Sequence, residues 1–213
     1  MNIRVLIADD HNVVAEGLSH MLTAHPGIEV VGVARSGREA VRLAVELDPD
    51  IVLMDSSMDD LNGIEATRLI RSRGLRARVV ILSVHAEALH VVRALRAGAL
   101  GYVPKSSAGS DVVDAIRSVN AGKRYVHPTL ASDVFEQLVE GESDDPASLL
   151  SARERQVLQL IAEGKGVADI AIALSLSART VETYRARLME KLEIHDIPTL
   201  VKFAIRHGFT ALD

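Results

Sequence analysis

Two carboxylates stand side by side where the first apolar run of the chain ends, in "RVLIADDH": Asp9 and Asp10 follow Val5, Leu6, Ile7 and Ala8. A third, Asp55, closes "DIVLMD", a hydroxyl, Ser83, closes "RVVILS", and an ammonium, Lys105, follows "LGYVP". Adjacent like charges repel, and neither is buried cheaply without a counter-ion. Three carboxylates brought together suit a hard divalent cation. Magnesium fits, because it takes one or two carboxylates and completes its octahedron with waters and phosphate oxygens. With Ser83 and Lys105 on the same rim, the expected guest is an anion with several oxygens. Any one of these residues alone is unremarkable, since an Asp at a strand end is ordinarily a helix cap or turn residue. The set of five points to chemistry.

The elements that must position them alternate in type. Short β-branched runs occur at "IRVLIA", "IEVVGVA", "DIVLMD", "RVVILS" and "LGYVP", with helical patterns between them. One such helix, "SGREAVRLAVELD", carries Ala40, Val41, Ala44 and Val45 as its apolar face and is closed by Asp48 and Pro49. Five strands separated by helices read as an α/β fold with a doubly wound, five-stranded parallel sheet. In such a sheet, of order 2-1-3-4-5, ligands gather at the carboxyl ends of the strands, and strands one and three are neighbours. That order brings Asp9, Asp10 and Asp55 to one place.

Composition sets the outer bounds. The chain has 213 residues, 48% of them hydrophobic and 3% aromatic, enough for two small domains. It has no cysteine, which removes disulfides, thiolate metal sites and a cysteine nucleophile. No apolar run approaches the roughly 20 residues that span a bilayer, so a soluble cytoplasmic protein without a membrane partner is expected. The net charge of −5 is localised: residues 128–150 hold six acids and no Lys or Arg, whereas residues 151–213 hold nine basic residues against eight acids. That acidic segment, with a helix at "LASDVFEQLVEG" and then "ESDDPAS", reads as a linker over 126–149, between a first domain at 1–125 and a second at 150–213.

The second region is all helix. "SARERQVLQLIAEG" opens on a capping box, Ser151 with Glu154, and ends at Gly164. "VADIAIALSLS" and "ARTVETYRARLMEKLEI" follow at helix-turn-helix spacing, and "PTLVKFAIRHGF" makes a fourth helix, giving a small all-α domain. In the third helix Val181, Leu188 and Leu192 fall on the core face and Arg179, Glu182, Thr183, Ala186 and Arg187 on the other. A bundle of this kind could also bind protein rather than nucleic acid; the cluster of Arg179, Arg185, Arg187 and Lys191 on one helix favours a phosphate backbone.

The five-residue set resembles the receiver domain of two-component response regulators, over residues 1–125, and residues 150–194 resemble the LuxR-type helix-turn-helix of the NarL/FixJ group. The first resemblance implies that Asp55 is the phosphoacceptor for a sensor histidine kinase. It implies that Asp10 ligates Mg2+ directly, Asp9 through water, with Asp55 and the backbone carbonyl of Ser57 completing the protein ligands. Ser83 and Lys105 would contact the phosphoryl oxygens, and Tyr102 in "GYVPK" would report the switch together with Ser83. The second resemblance implies that the helix beginning near Ala178 enters the major groove of promoter DNA. Glu182, Thr183 and Ala186 would face base edges, and Arg179, Tyr184, Arg185 and Lys191 would contact or support phosphates. Leu200, Val201 and Ala204 would form the surface of a homodimer assembled on phosphorylation.

The chain departs from both patterns. Receivers usually carry Met-Pro where this chain has Met58-Asp59, followed by Asp60, which bears on the lifetime of a phosphorylated state. In the second region Val167, Ala168 and Asp169 replace a usual Asn-Lys-Glu, and Tyr184 stands where His is usual. The leading expectation is a DNA-binding transcription regulator controlled by phosphorylation of Asp55, catalysing at most its own metal-assisted phosphorylation and dephosphorylation. The alternatives are an atypical receiver that regulates without phosphorylation and a metal-dependent phosphohydrolase, which would place its nucleophile in an Asp-x-Asp motif after strand one. A dinucleotide enzyme is excluded, since "ADDHNVVAEG" lacks the glycines of a phosphate-binding turn. The linker acids Glu140, Glu142, Asp144 and Asp145 are expected to compete weakly with DNA phosphates for Arg185, Arg187 and Lys191.

Overall fold

A computed structural model describes residues 2–139 and 146–210 and divides the chain into two compact units, one built on a sheet and one on the C-terminal helices. Glu140, Glu142, Asp144 and Asp145 lie outside the described residues. In the first unit, strands and helices alternate from β1 (Ile3–Ala8) and α1 (Asn12–Thr23) through β2 (Ile28–Ala34), α2 (Gly37–Leu47), β3 (Ile51–Asp55) and α3 (Gly63–Ser72). They continue with β4 (Arg78–Ser83), α4 (Ala88–Ala97), β5 (Gly101–Pro104), α5 (Gly109–Asn120), β6 (Tyr125–Val126) and α6 (Pro128–Val139). The strands pair in the order β2-β1-β3-β4-β5-β6, every pair parallel.

The sheet thus has six strands, where five runs of core character are visible in the sequence. The extra strand is two residues, Tyr125 and Val126, paired with Gly101 and Tyr102 at the sheet edge. A pair that short has no hydrophobic period to read. The central strands are buried on both faces, as parallel strands are when crossover helices cover each side. Val5, Ile7, Leu53, Val80, Leu82 and Val103 pack with Ala15 and Leu22 of α1 and Val112, Ile116 and Val119 of α5. In α2, Ala40, Val41 and Ala44 are buried as the periodicity requires, but Val45 is 51% exposed and lies at the edge of that stripe. Asp48, in the left-handed region at φ 41°, ends the helix.

The second unit contains a 3-10 turn at Pro146–Leu149, then α7 (Ala152–Ala162), α8 (Val167–Leu174), α9 (Ala178–Lys191) and α10 (Ile197–Arg206). Its core gathers Val157, Leu158, Ile170, Leu174, Val181 and Leu188. Leu200 and Ala204, expected on a dimer surface, are both fully buried in this core, and Val201 is half-buried. The i, i+4 stripe of α10 is therefore the face it turns toward α7, and these two residues are corrected from interface to core.

Candidate functional site

Register places the acids. Ala8 pairs with Met54 across β1 and β3, so the residues that follow, Asp9 and Asp55, emerge together at the carboxyl ends of adjacent strands. Ser83 pairs with Pro104 at the ends of β4 and β5, and Lys105 comes next. Lys105 Nζ lies 2.8 Å from Asp9 Oδ2 and 2.9 Å from Asp55 Oδ2, so one ammonium bridges two buried carboxylates. Burial pushes the Asp55 carboxyl up to about 6; Lys105 pulls against that rise and Asp9 adds to it. Burial opposes the Lys105 charge as well, but Asp55 and Asp9 outweigh it and hold the ammonium above its ordinary range.

Asp9, Asp10, His11 and Asp55 present ligand atoms within 4.8 Å of one another. Asp9 and Asp55 are buried and Asp10 is partly open, with His11 Nδ1 2.7 Å from its Oδ1. A set dominated by carboxylate oxygens, carrying more negative charge than one lysine offsets, fits a hard cation of the magnesium class. Ser57, half-buried, donates its backbone N–H to Asp55 Oδ1 at 3.3 Å.

The hydroxyl side of the pocket is ordered by bonds the sequence does not announce. Ser83 is fully buried, and its Oγ accepts from Ser56 Oγ at 2.7 Å and from His85 N at 3.0 Å. Tyr102 is 1% exposed and donates its hydroxyl to the His85 carbonyl at 2.7 Å, while burial holds that hydroxyl above its ordinary range. Ser56 and His11 were not legible as site residues, since a lone Ser or His beside an acid carries no signal of its own. Val84, next to Ser83, is 67% exposed.

In the helical unit, α9 starts at the Ser177 cap, whose side chain accepts from Thr180 N. Arg179, Thr183 and Ala186 are exposed, and Glu182, Tyr184 and Arg185 are half-buried. Arg185 pairs with Glu182 at 2.6 Å, and Thr183 Oγ1 donates to the Arg179 carbonyl at 2.9 Å. Tyr184 packs against the helical core. Lys191, expected at a DNA phosphate, donates instead to Glu154 Oε2 at 2.7 Å and to the Leu149 carbonyl at 3.1 Å. Glu154 in turn accepts from Ser151 N at 2.7 Å, completing the capping box that the sequence predicts.

Burial works against the charge on Glu154, but the bonds from Lys191 and Ser151 overcome it and hold the carboxyl below its usual range. A depressed folded pKa contributes stability above the unfolded value and loses it as pH falls through the folded one. Replacing Glu154 by Gln, which keeps a cap but removes the charge, should cost about 1–2 kcal/mol at neutral pH. The difference in melting temperature from wild type should shrink below about pH 4. A gap of the same size at pH 7 and pH 3 refutes the ionic contribution.

Residues 5–117 match the family described as response regulator receiver domain, and residues 148–204 match bacterial regulatory proteins of the luxR family. The chain belongs to the response regulators, with a receiver followed by a LuxR-type helix-turn-helix. It is 40% identical over 207 residues to the response regulator UvrY of Escherichia coli K12, covering 97% of this chain and 95% of that protein. It is 41% identical over 206 residues to the response regulator GacA of Pseudomonas protegens, covering 97% of each. A solved structure of RcsB from Salmonella enterica serovar Typhimurium, bound to promoter rprA in the presence of the phosphomimetic BeF3−, superposes with a TM-score of 0.67 at 25% identity. That match covers 95% of this chain and 98% of RcsB. Among the described residues, no helix is long and apolar enough to cross a membrane.

Proposed function

We propose that the receiver takes a phosphoryl group on Asp55 from a sensor histidine kinase in the cytoplasm and that the second domain, as part of a homodimer, then binds promoter DNA. The observation that carries this is the Lys105 ammonium bridging Asp9 and Asp55 at the strand ends, beside the buried Ser83 hydroxyl. An Asp55 carboxylate oxygen forms the new O–P bond as the donor's P–N bond breaks. Lys105 then exchanges a carboxylate for a phosphoryl oxygen, and the Ser83 hydroxyl turns from Ser56 toward the new anion. Tyr102 follows through the His85 backbone that both residues share. Asp9, Asp10, Asp55 and the Ser57 carbonyl would hold Mg2+, which when bound supplies the positive charge that an incoming phosphoryl anion needs.

For the DNA-binding domain, the exposed Thr183 and Ala186 together with Glu182 are placed to meet base edges, Glu182 by accepting from a cytosine amino group. Arg179, Arg185 and Tyr184 serve the phosphates. The Glu182–Arg185 pair must open on binding, so Glu182→Ala frees an arginine as well as removing a base contact.

The test is labelling by a small phosphodonor. With Mg2+ the wild type should acquire one acid-stable, base-labile phosphoryl group, Asp55→Asn none, and Asp10→Ala only a trace that no longer responds to the cation. Equal labelling of wild type and Asp55→Asn rejects the assignment.

A further inference from the structure

The loop between β4 and α4 carries a second cluster that the phosphoryl chemistry does not use. In "HAEALH", His85, Glu87 and His90 bring one ligand atom each within 4.8 Å of one another. Glu87 Oε2 lies 3.9 Å from His85 Nδ1 and 4.0 Å from His90 Nε2, so the carboxylate stands at the edge of both imidazoles. The rings themselves stack, with centroids 4.5 Å apart and planes inclined by 14°.

The simplest account of such a trio is space filling: His90 is a buried residue of α4 and His85 leans on it. Two observations go beyond packing. His85 Nδ1, the ring nitrogen that faces Glu87, has no hydrogen bond among the described residues and is the one placed to ligate, and Nε2 on the far side of the ring is buried without a partner, so hydrogen bonds do not fix this imidazole. Glu87 occupies the N-cap position of α4 without using its side chain as a cap, and that side chain is 69% exposed. The carboxylate is therefore available beside a nitrogen of each imidazole.

We propose that His85, Glu87 and His90 bind a borderline divalent transition cation of the zinc class, separately from the acidic pocket. Metal–ligand bonds of about 2.0–2.1 Å at tetrahedral angles set ligand-to-ligand edges near 3.3 Å. The two edges to Glu87 have to close by about 0.6 Å, and the stacked imidazoles have to turn out of parallel so that both lone pairs meet the cation, movements that the exposed Glu87 and the loop position of His85 allow. Imidazole nitrogens select zinc, nickel or copper, whereas the carboxylate pocket selects magnesium, so the two sites sort their metals by donor type. A Glu-x-x-His pair at i and i+3 lies on one helix face, which is how Glu87 and His90 come together across the first turn of α4. The position has a consequence. His85 N donates to Ser83 Oγ and its carbonyl accepts from Tyr102, so a cation held by this loop is tied to the same backbone that anchors both residues.

Zinc alone, titrated calorimetrically into the full-length protein in excess Mg2+, tests this. Wild type should bind one zinc at this site, and Glu87→Gln and His85→Gln should each weaken it at least about tenfold, the lower bound for outer-shell changes. Asp10→Ala should bind zinc as wild type does. With Cu2+ as a spectroscopic probe, electron paramagnetic resonance should show two coupled imidazole nitrogens in wild type and one in His85→Gln. The proposal fails if wild type takes up no zinc, if both loop variants bind it with wild-type affinity, or if Asp10→Ala abolishes binding.

Discussion

Gly63→Ala should remove phosphoryl labelling at Asp55 almost completely, although the change adds a single methyl group to a residue that performs no chemistry. A Cβ at Gly63 would lie 1.9 Å from the Asp55 carbonyl oxygen and 2.9 Å from Met54 Cγ. The clash is with backbone, so no rotamer relieves it. Gly63 opens α3 and donates its N–H to the Ser56 carbonyl at 3.0 Å, so either α3 or the end of β3 must retreat. Reaching ordinary contact takes about 1.5 Å, and a 1 Å misplacement of a reacting group can cost about a hundredfold in rate. Overpacking of this kind also destabilises by about 1–3 kcal/mol or more. The control is Gly17→Ala in α1, where a Cβ would meet nothing within 4 Å. That change should stabilise by about 0.5–1 kcal/mol through the better helix propensity of alanine. Labelling of Gly63→Ala at the wild-type rate would show that the β3–α3 junction yields more easily than its contacts indicate.

Gly63 also marks where sequence reading stops. Its place in a turn before a helix is legible from "LNG", but its approach to Asp55 is a tertiary contact that no local pattern encodes. The acids were legible for the opposite reason. Asp9, Asp55, Ser83 and Lys105 each end or follow a β-branched run, and parallel-sheet order then brings those ends together. Ser56 and His11 follow the same acids, yet their bonds to Ser83 and Asp10 depend on rotamers that spacing does not set. The helical unit repeats the contrast. The capping box at Ser151 and Glu154 is written in the chain, and so is the core face of α9. The amphipathic stripe of α10 is equally visible, but a stripe does not say whether its partner is the same chain or another, and Leu200 and Ala204 turn inward. Lys191 shows the same ambiguity for charge: one more cation on a basic helix, it belongs to Glu154, 37 residues earlier.

Lys105→Ala should leave Asp55 open to phosphorylation and break the link between that event and promoter affinity. In the unphosphorylated receiver the ammonium is the positive charge between Asp9 and Asp55, both buried. Removing one partner of a buried ion pair costs about 3–5 kcal/mol because the opposing charge is left uncompensated, and here two carboxylates are left facing each other. The variant should therefore melt earlier than wild type in a chelator and recover more of that loss on adding Mg2+, since a cation that binds only the folded state stabilises in proportion to its occupancy. Labelling, for which the proposed nucleophile is Asp55 and not Lys105, should persist in Mg2+ at a reduced rate. Without the ammonium, the new phosphoryl charge of about −1.5 to −2 has no side-chain cation to pull, so the rearrangement of Ser83 and Tyr102 lacks its driving contact. Promoter affinity measured before and after labelling should then be the same in the variant and differ in wild type. A labelled Lys105→Ala protein that gains affinity as wild type does would move the coupling from Lys105 to Ser83 alone, and an equal response to Mg2+ in both proteins would remove the charge argument beneath it.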